Sequence, residues 1–423
     1  MLRLGAILFF LWPIIGLAQQ DSSFFQKKLA DYHLDFSIGL QVWGTYTYGM
    51  QVYREEDEAY RPVENRFNTQ LRRSRFSLQG QPYAVLSFRV TASLDLVGRD
   101  VLAATEAGAN NGGAPQFRLW NAQLKWQLFP DQESLYLLAG YLPSPVGGES
   151  NMSALRSPSF EKAWSQNYLR RHLMGTGPGR AAGILLGGQW SSITERTHVS
   201  YEIAAQNPVF QSLQGNTTGP NASLLWSGRL ALQIGDPESQ RYRRNRRANF
   251  FGKRNGVTLG MAAGLQGSTT IFDHSSAYGI DWLINLSGWH FDGEIFAMNR
   301  SGGAAKYTAH TGYCRLGKNI VIGKQKRVLE PVLSYWYFNG PMNSVEQLNA
   351  KQLKGFSGGD VGIDFGVNLY LNPDFKISLF YVLRHGTSDA TELSEVNNNF
   401  FQQPIVGAIQ RGNYVGLGWV TII

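Results

Sequence analysis

Cysteine occurs once in the 423 residues, at Cys314, so no disulfide can form within the chain. An exported protein of this length without a disulfide framework fits a bacterial envelope. A lone cysteine in a strand pattern acts as a small hydrophobe. Beyond residue 18 no apolar run reaches the roughly 18–20 residues that a membrane-crossing helix needs. Metal and hydrolase signatures are missing too. The seven histidines (33, 172, 198, 274, 290, 310 and 385) are dispersed without metal-ligand spacing, and neither G-x-S-x-G nor H-E-x-x-H occurs. An enzyme reading is reduced to spatial pairs such as His310 with Ser287 or Ser334. Neither catalysis, nor a bound metal, nor a cofactor is expected.

Charge is sparse at 17%, whereas aromatics reach 13% and glycines number 47. That balance suits a β protein better than a helical one. Lys and Arg total 39 against 31 Asp and Glu, a net charge of +8. The surplus is concentrated in "RYRRNRRANFFGKR", residues 241–254. A solvated loop is the plain reading of such a run. Nucleic acid is not an expected partner, because the chain opens on an export signal. In "MLRLGAILFFLWPIIGLAQQ", Arg3 precedes an apolar stretch, and Gly16 and Ala18 supply the small residues of a cleavage site. Residues 1–18 are therefore expected to be a signal peptide and 19–33 a short leader. Residues 34–423 form one β unit, with no internal repeat and no Pro/Ser-rich linker to divide it.

In "LDFSIGLQVWGTYTYGM", residues 34–50, the even positions are apolar, aromatic or glycine, and most odd positions are polar or small. This period of two outlasts the roughly 5–6 residues of an ordinary strand. The pattern recurs in "YAVLSFRVTASLDLVG", in "FRLWNAQLKWQLF" and in "GGDVGIDFGVNLYLNPD". The second of these sets Trp120, Ala122, Leu124 and Trp126 on the apolar face. A soluble sandwich uses shorter strands, whereas a tilted strand crossing a bilayer needs about 9–11 residues. The segments number about sixteen, centred near positions 40, 74, 90, 124, 138, 185, 203, 229, 261, 283, 295, 312, 333, 365, 379 and 417. An even count is what a bacterial barrel requires. The expectation is an all-β fold: a transmembrane antiparallel β-barrel of about 16 strands, with lipid outside and water inside. With both ends in the periplasm, odd connections should be long and extracellular. Those at 51–65, 99–115, 144–179, 208–221, 340–356 and 386–408 obey this. The basic even connection at 235–255 weakens the pattern, and the odd connections near Asp273 and Gly302 are shorter than expected.

Several stretches resemble the phosphate-selective porin O and P family of Gram-negative outer membranes. "LRRSRFSLQG" (71–80) is similar to its arginine-rich second strand, and "LYLLAGYLPSPVG" (135–147) to its entry into a long third loop. "WSGRLALQIG" (226–235) and "FGVNLYLNPDFKISLFYV" are similar to later strands, and the likeness covers nearly the whole mature chain. Pro143 stands where the entry motif often has lysine, and the chain ends on Ile423 rather than an aromatic residue. The resemblance implies a third extracellular loop folded into the barrel and a homotrimer in the outer membrane of a Gram-negative bacterium.

Charge facing lipid at mid-bilayer costs on the order of 2–4 kcal/mol, so wall arginines should face water. By strand parity Arg73, Arg75, Arg89, Lys125 and Arg229 are expected to line the pore and bind anions. The third loop adds Arg156, Lys162, Arg170, Arg171 and Arg180 at the constriction, with a helix expected after a cap at Ser157 or Ser159 and Glu161 in its first turn. Asp95, Asp281, Glu294, Asp360 and Asp364 share the interior as counter-ions or as a cation-attracting wall. "GTGPGR" (175–180) precedes a strand, not a helix, and so reads as a hinge rather than a phosphate loop. The expected function is passive diffusion of small anionic or polar solutes, phosphate among them. The rivals are a non-selective or cation-tolerant porin, a barrel enzyme or adhesin with a closed lumen, and a soluble secreted multi-sheet protein.

Overall fold

Residues 32–100, 102–103, 116–192, 196–208, 221–387, 402–403 and 407–423 are described by the computed structural model. The expected signal peptide and nearly all of the leader lie outside them. Sixteen long strands follow one another: β1 Asp35–Tyr48, β2 Arg66–Tyr83, β3 Leu86–Ser93, β4 Arg118–Gln127, β5 Tyr136–Pro143 and β6 Arg180–Ser191. They continue as β7 Thr197–Asn207, β8 Leu225–Gly235, β9 Gly256–Gln266, β10 His274–Leu286 and β11 Trp289–Gly302. The last five are β12 Ala305–Lys318, β13 Arg327–Asn339, β14 Gly359–Asn372, β15 Phe375–Thr387 and β16 Asn413–Ile422. Each of the sixteen expected centres falls inside its own strand.

Every strand pairs antiparallel with its sequence neighbour, and β1 pairs with β16 from Gly39↔Ile422 to Tyr48↔Asn413. The sheet is thereby a closed barrel with no unpaired edge, the form in which strands satisfy every backbone group inside lipid. Alternation is kept around the wall. On β9, Leu259, Met261 and Leu265 are more than half exposed, whereas Thr258, Ala262 and Gln266 are buried. Ile203, Ile280, Leu333, Leu379 and Leu417 are likewise exposed on other strands. A soluble protein rarely carries apolar surface this extensive, so the outer face is a lipid-facing belt.

At two places the wall slips its register. β2 pairs Gln41↔Arg73 and then Val42↔Leu71, leaving Arg72 without a partner on β1. β4 pairs Thr91↔Asn121 and then Ala92↔Leu119, leaving Trp120 extra. Such bulges re-aim a side chain. Arg72 and Arg73 thus share the interior, and Trp120 leaves the apolar outer face on which simple alternation puts it.

The interior divides into two parts. Between β5 and β6 the chain makes a turn of 3-10 helix at Ala154–Arg156 and then helix α1, Ser165–Met174. The helix starts later than expected, behind Trp164 rather than a serine, and Gly175 ends it in the left-handed conformation at φ 70°. Burial of α1 joins Trp164, Tyr168, Leu169 and Leu173 to Phe296, Met298, Tyr313, Trp336 and Phe338. Tyr168 stacks on Phe338 at 3.7 Å between ring centres. These wall residues belong to β11–β13 and point away from the lipid-facing side, so this half of the barrel holds a packed apolar core where water was expected. On the opposite wall Phe160 stacks on Trp43 at 4.3 Å. Its ring lies where a Cβ at Gly416 or Gly418 would clash, at 2.5 and 2.9 Å. Helix α2, Ser344–Gln352, lies between β13 and β14, and its Ala350 joins the same core.

Candidate functional site

A cavity of about 780 Å³ occupies the other half of the lumen, bounded by β1–β6, by the 144–179 connection and by residues 242–247. Twelve arginines and two lysines line it, against three carboxylates. The charge is uneven because the wall arginines come from β2, β3, β4 and β6, and both in-reaching segments are basic.

The carboxylates hold arginines in place. Arg72 bonds Glu161 at 2.6 Å, and Arg73 bonds the other oxygen of the same carboxylate. Burial pushes the Glu161 carboxyl upwards, but Arg72 and Arg73 overcome it and hold the group at about 2. Arg75 bonds Asp95 at 2.7 Å. Its guanidinium also lies 3.8 Å from the centre of the Trp120 ring, and that of Arg180 lies 4.0 Å away. The indole therefore contacts both cations and offsets part of their mutual repulsion through its π face. Arg180 further donates to Asn121 at 2.7 Å and to the Pro178 carbonyl at 2.5 Å. Arg170 donates to Asn167, and its stem fills the space that a Cβ at Gly179 would need. Burial, then Arg171 and Arg73, lower the Arg170 guanidinium to about 9. Lys162 donates to the Met152 carbonyl at 3.0 Å. Burial pushes it down to about 7; Glu149 pulls it up, while Arg170, Arg180 and Arg73 push it further down.

Eight of the ten cations expected from the sequence line this one cavity: Arg73, Arg75, Arg89, Lys125, Arg156, Lys162, Arg170 and Arg180. Lys125 donates to the Tyr242 carbonyl at 3.0 Å and lies over the Tyr136 ring at 3.9 Å. Arg171 and Arg229 are not among the lining residues. Arg229 makes a two-point contact with Asp281 at 2.7 and 2.8 Å and faces a separate small pocket of about 40 Å³. Of the five interior acids only Asp95 reaches the main cavity. Asp281 also binds Arg246 at 2.6 Å, Glu294 accepts the Glu149 N–H at 3.1 Å, and Asp360 accepts from the Tyr168 hydroxyl at 2.8 Å. These three hold parts in place rather than presenting a cation-attracting wall to the cavity.

Sequence reasoning missed Arg72 and Trp120, which only the bulges bring inside, and the inward course of residues 241–247. Alternation in "RYRRNRRA" was the available signal for the last. The His310 pairings do not form: His310 is exposed on the outer face, Ser334 is buried on the inner face, and Ser287 lies in the β10–β11 turn. Among the described residues no group of three His, Cys, Asp or Glu is placed to hold a metal.

No protein-family model matches the chain, and no curated protein matches it. Solved structures do. OmpF of Salmonella typhi, in complex with daunomycin, superposes with a TM-score of 0.53 at 13% identity, covering 92% of this chain and 97% of that one. OprB of Pseudomonas putida gives 0.53 at 10% identity over 95% and 97%. An anion-selective porin from Comamonas acidovorans gives 0.52 at 9% identity over 92% and 100%. At these identities the likeness establishes the fold, that of an outer-membrane porin barrel.

Proposed function

We propose that this barrel is an outer-membrane channel for passive diffusion of small hydrophilic solutes, biased towards anions, with phosphate among them. The carrying observation is the cavity lining of fourteen Lys and Arg against three carboxylates. Fixed cations in a narrow, low-dielectric passage raise the local concentration of anions and exclude cations. Arginine forks match the oxygens of phosphate better than a point charge does. The anion-selective Comamonas porin shares the fold and agrees with the reading. The segment that reaches the cavity at Lys162 and Arg170 acts as the constriction. Arg3, the apolar stretch after it and the small residues Gly16 and Ala18 support a signal peptide at residues 1–18, and the resemblance noted from the sequence supports a homotrimer.

The test is a planar-bilayer recording in a KCl gradient. A reversal potential of anion-preferring sign, reduced on neutralising Arg73, Arg75 and Arg89 together, supports the reading. Cation preference rejects it in favour of a cation-tolerant porin. Addition of phosphate to chloride then shows whether phosphate occupies the pore. The packed half of the lumen favours a second reading, a barrel closed to solutes, which absence of any single-channel conductance would establish.

A further inference from the structure

The connection between β8 and β9, residues 236–255, lies at the end of the barrel where β1 begins and β16 finishes. The other described connections at that end are much shorter. This one turns back inside, and its alternation explains how. Tyr242, Arg244, Arg246 and Ala248 are held against the barrel. The Tyr242 hydroxyl donates to Glu202 at 2.9 Å, and Arg244 donates to the Pro143 carbonyl at 3.0 Å. Arg246 binds Asp281 at 2.6 Å and Glu238 at 3.3 Å, and the Ala248 carbonyl accepts from Asn285 at 2.9 Å. A bridge between Met152 and Arg246, with the Arg246 N–H donating to the Asn151 carbonyl at 3.3 Å, joins this segment to the 144–179 connection arriving from the opposite end. The alternate residues Arg243, Asn245 and Arg247 are exposed and line the cavity.

Arg243 and Arg247 share that cavity with Arg89 of β3 and with Arg156. Among the described residues Arg243 and Arg247 form no ion pair, and the buried Nε of Arg89 has no hydrogen-bond partner. Arg156 is paired with Asp374, in the β14–β15 turn at the same end, at 2.6 Å. Partial burial, then Arg156 and Arg243, push the Arg247 guanidinium below its usual range, so these cations feel one another. Four neighbouring arginines at an end where the carboxylates are Asp374, on Arg156, and Asp35, which accepts from Gln79, keep a cationic surplus that suits a ligand of charge two or more rather than chloride.

We propose that residues 241–247 form a second anion site in which Arg243 and Arg247, with Arg89 and Arg156, take a polyvalent phosphate at the terminus-bearing mouth of the lumen. The segment acts as an inner counterpart of the in-reaching 144–179 connection and makes the two mouths unequal. The inference rests on the channel reading for its role in transport, but binding is separable from it.

The full chain in detergent is titrated with pyrophosphate by calorimetry at constant ionic strength. The R243Q/R247Q variant is expected to bind about tenfold more weakly or worse, equivalent to at least 1.4 kcal/mol, whereas R243K/R247K retains part of the affinity. The heads of both residues are exposed, so retained heat-modifiable mobility on gels checks that the barrel is intact. K324Q/K326Q removes the same charge from the exposed β12–β13 turn at the same end, outside the cavity, and should bind as the unaltered chain does. In a bilayer, pyrophosphate should block more strongly from the terminus-bearing side, and R243Q/R247Q should abolish that difference. Equal binding by R243Q/R247Q, equal weakening by K324Q/K326Q, or no pyrophosphate binding at all overturns the proposal. Cation preference or absent conductance in the unaltered chain overturns the channel reading instead and leaves the titration interpretable.

Discussion

The two halves of this barrel use charge in opposite ways. Along β10–β14 the inward acids Asp281, Asp292 and Glu330 are matched by buried partners. Arg315, fully buried, is shared between Glu149 at 3.2 Å and Asp292 at 2.5 Å, and it donates to the Ser159 hydroxyl at 2.8 Å. Glu330 accepts from His290, Asn249, Asn368 and Tyr370 at 2.6–2.9 Å. Above them Tyr168 and its neighbours close the space with apolar packing. Along β1–β6 cations outnumber acids and surround open volume. Charge neutralised and desolvated serves to dock a segment; charge left in excess beside solvent makes an electrostatic field. The difference predicts that mutations in the first half change stability and those in the second change selectivity.

The largest effect is expected at Arg315. Arg315→Met leaves Glu149 and Asp292 buried without their cation, a loss on the order of 3–5 kcal/mol. The midpoint of urea unfolding in detergent should fall, and conductance should become noisier as the 144–179 connection loosens. An unchanged midpoint would break the division between halves. Next is the triple variant R75Q/R170Q/R180Q. It should lower the anion-to-cation permeability ratio by about threefold or more through loss of local potential, with little effect on the unfolding midpoint relative to Arg315→Met. Lys162 sharpens the comparison through pH. With its ammonium lowered to about 7, it is charged below that value and neutral above it. Anion preference should therefore be greater at pH 6 than at pH 8.5, with Lys162 contributing on the order of one charge to the change, and Lys162→Met should reduce the difference between those two values. The smallest effect belongs to Trp120→Ala, which removes the ring between Arg75 and Arg180. Contacts of this kind contribute roughly 0.5–2 kcal/mol, so pore current should become more heterogeneous while the barrel stays folded; Trp120→Phe should lie between.

The strand count and positions were legible because lipid outside and a barrel interior impose a period of two on every strand, and β1 shows it over fourteen residues. Parity put Arg73, Arg75, Arg89 and Lys125 on the inner face, and all four line the cavity. It could not place Arg72 or Trp120, because one extra residue in a strand reverses the assignment locally and leaves no mark in composition. It also misjudged the inner face of β11–β13. Phe296, Met298, Trp336 and Phe338 are inward and apolar because another part of the same chain, α1, covers them.

By itself, then, the sequence determined a closed β cylinder with a lipid-facing exterior and arginines kept from that exterior, since alternation and the cost of charge in hydrocarbon act on each strand separately. Only the tertiary structure decided which half of the lumen is filled and which stays open. That outcome depends on residues far apart in sequence, such as Glu149 with Arg315 or Tyr242 with Glu202, whose meeting no local pattern encodes.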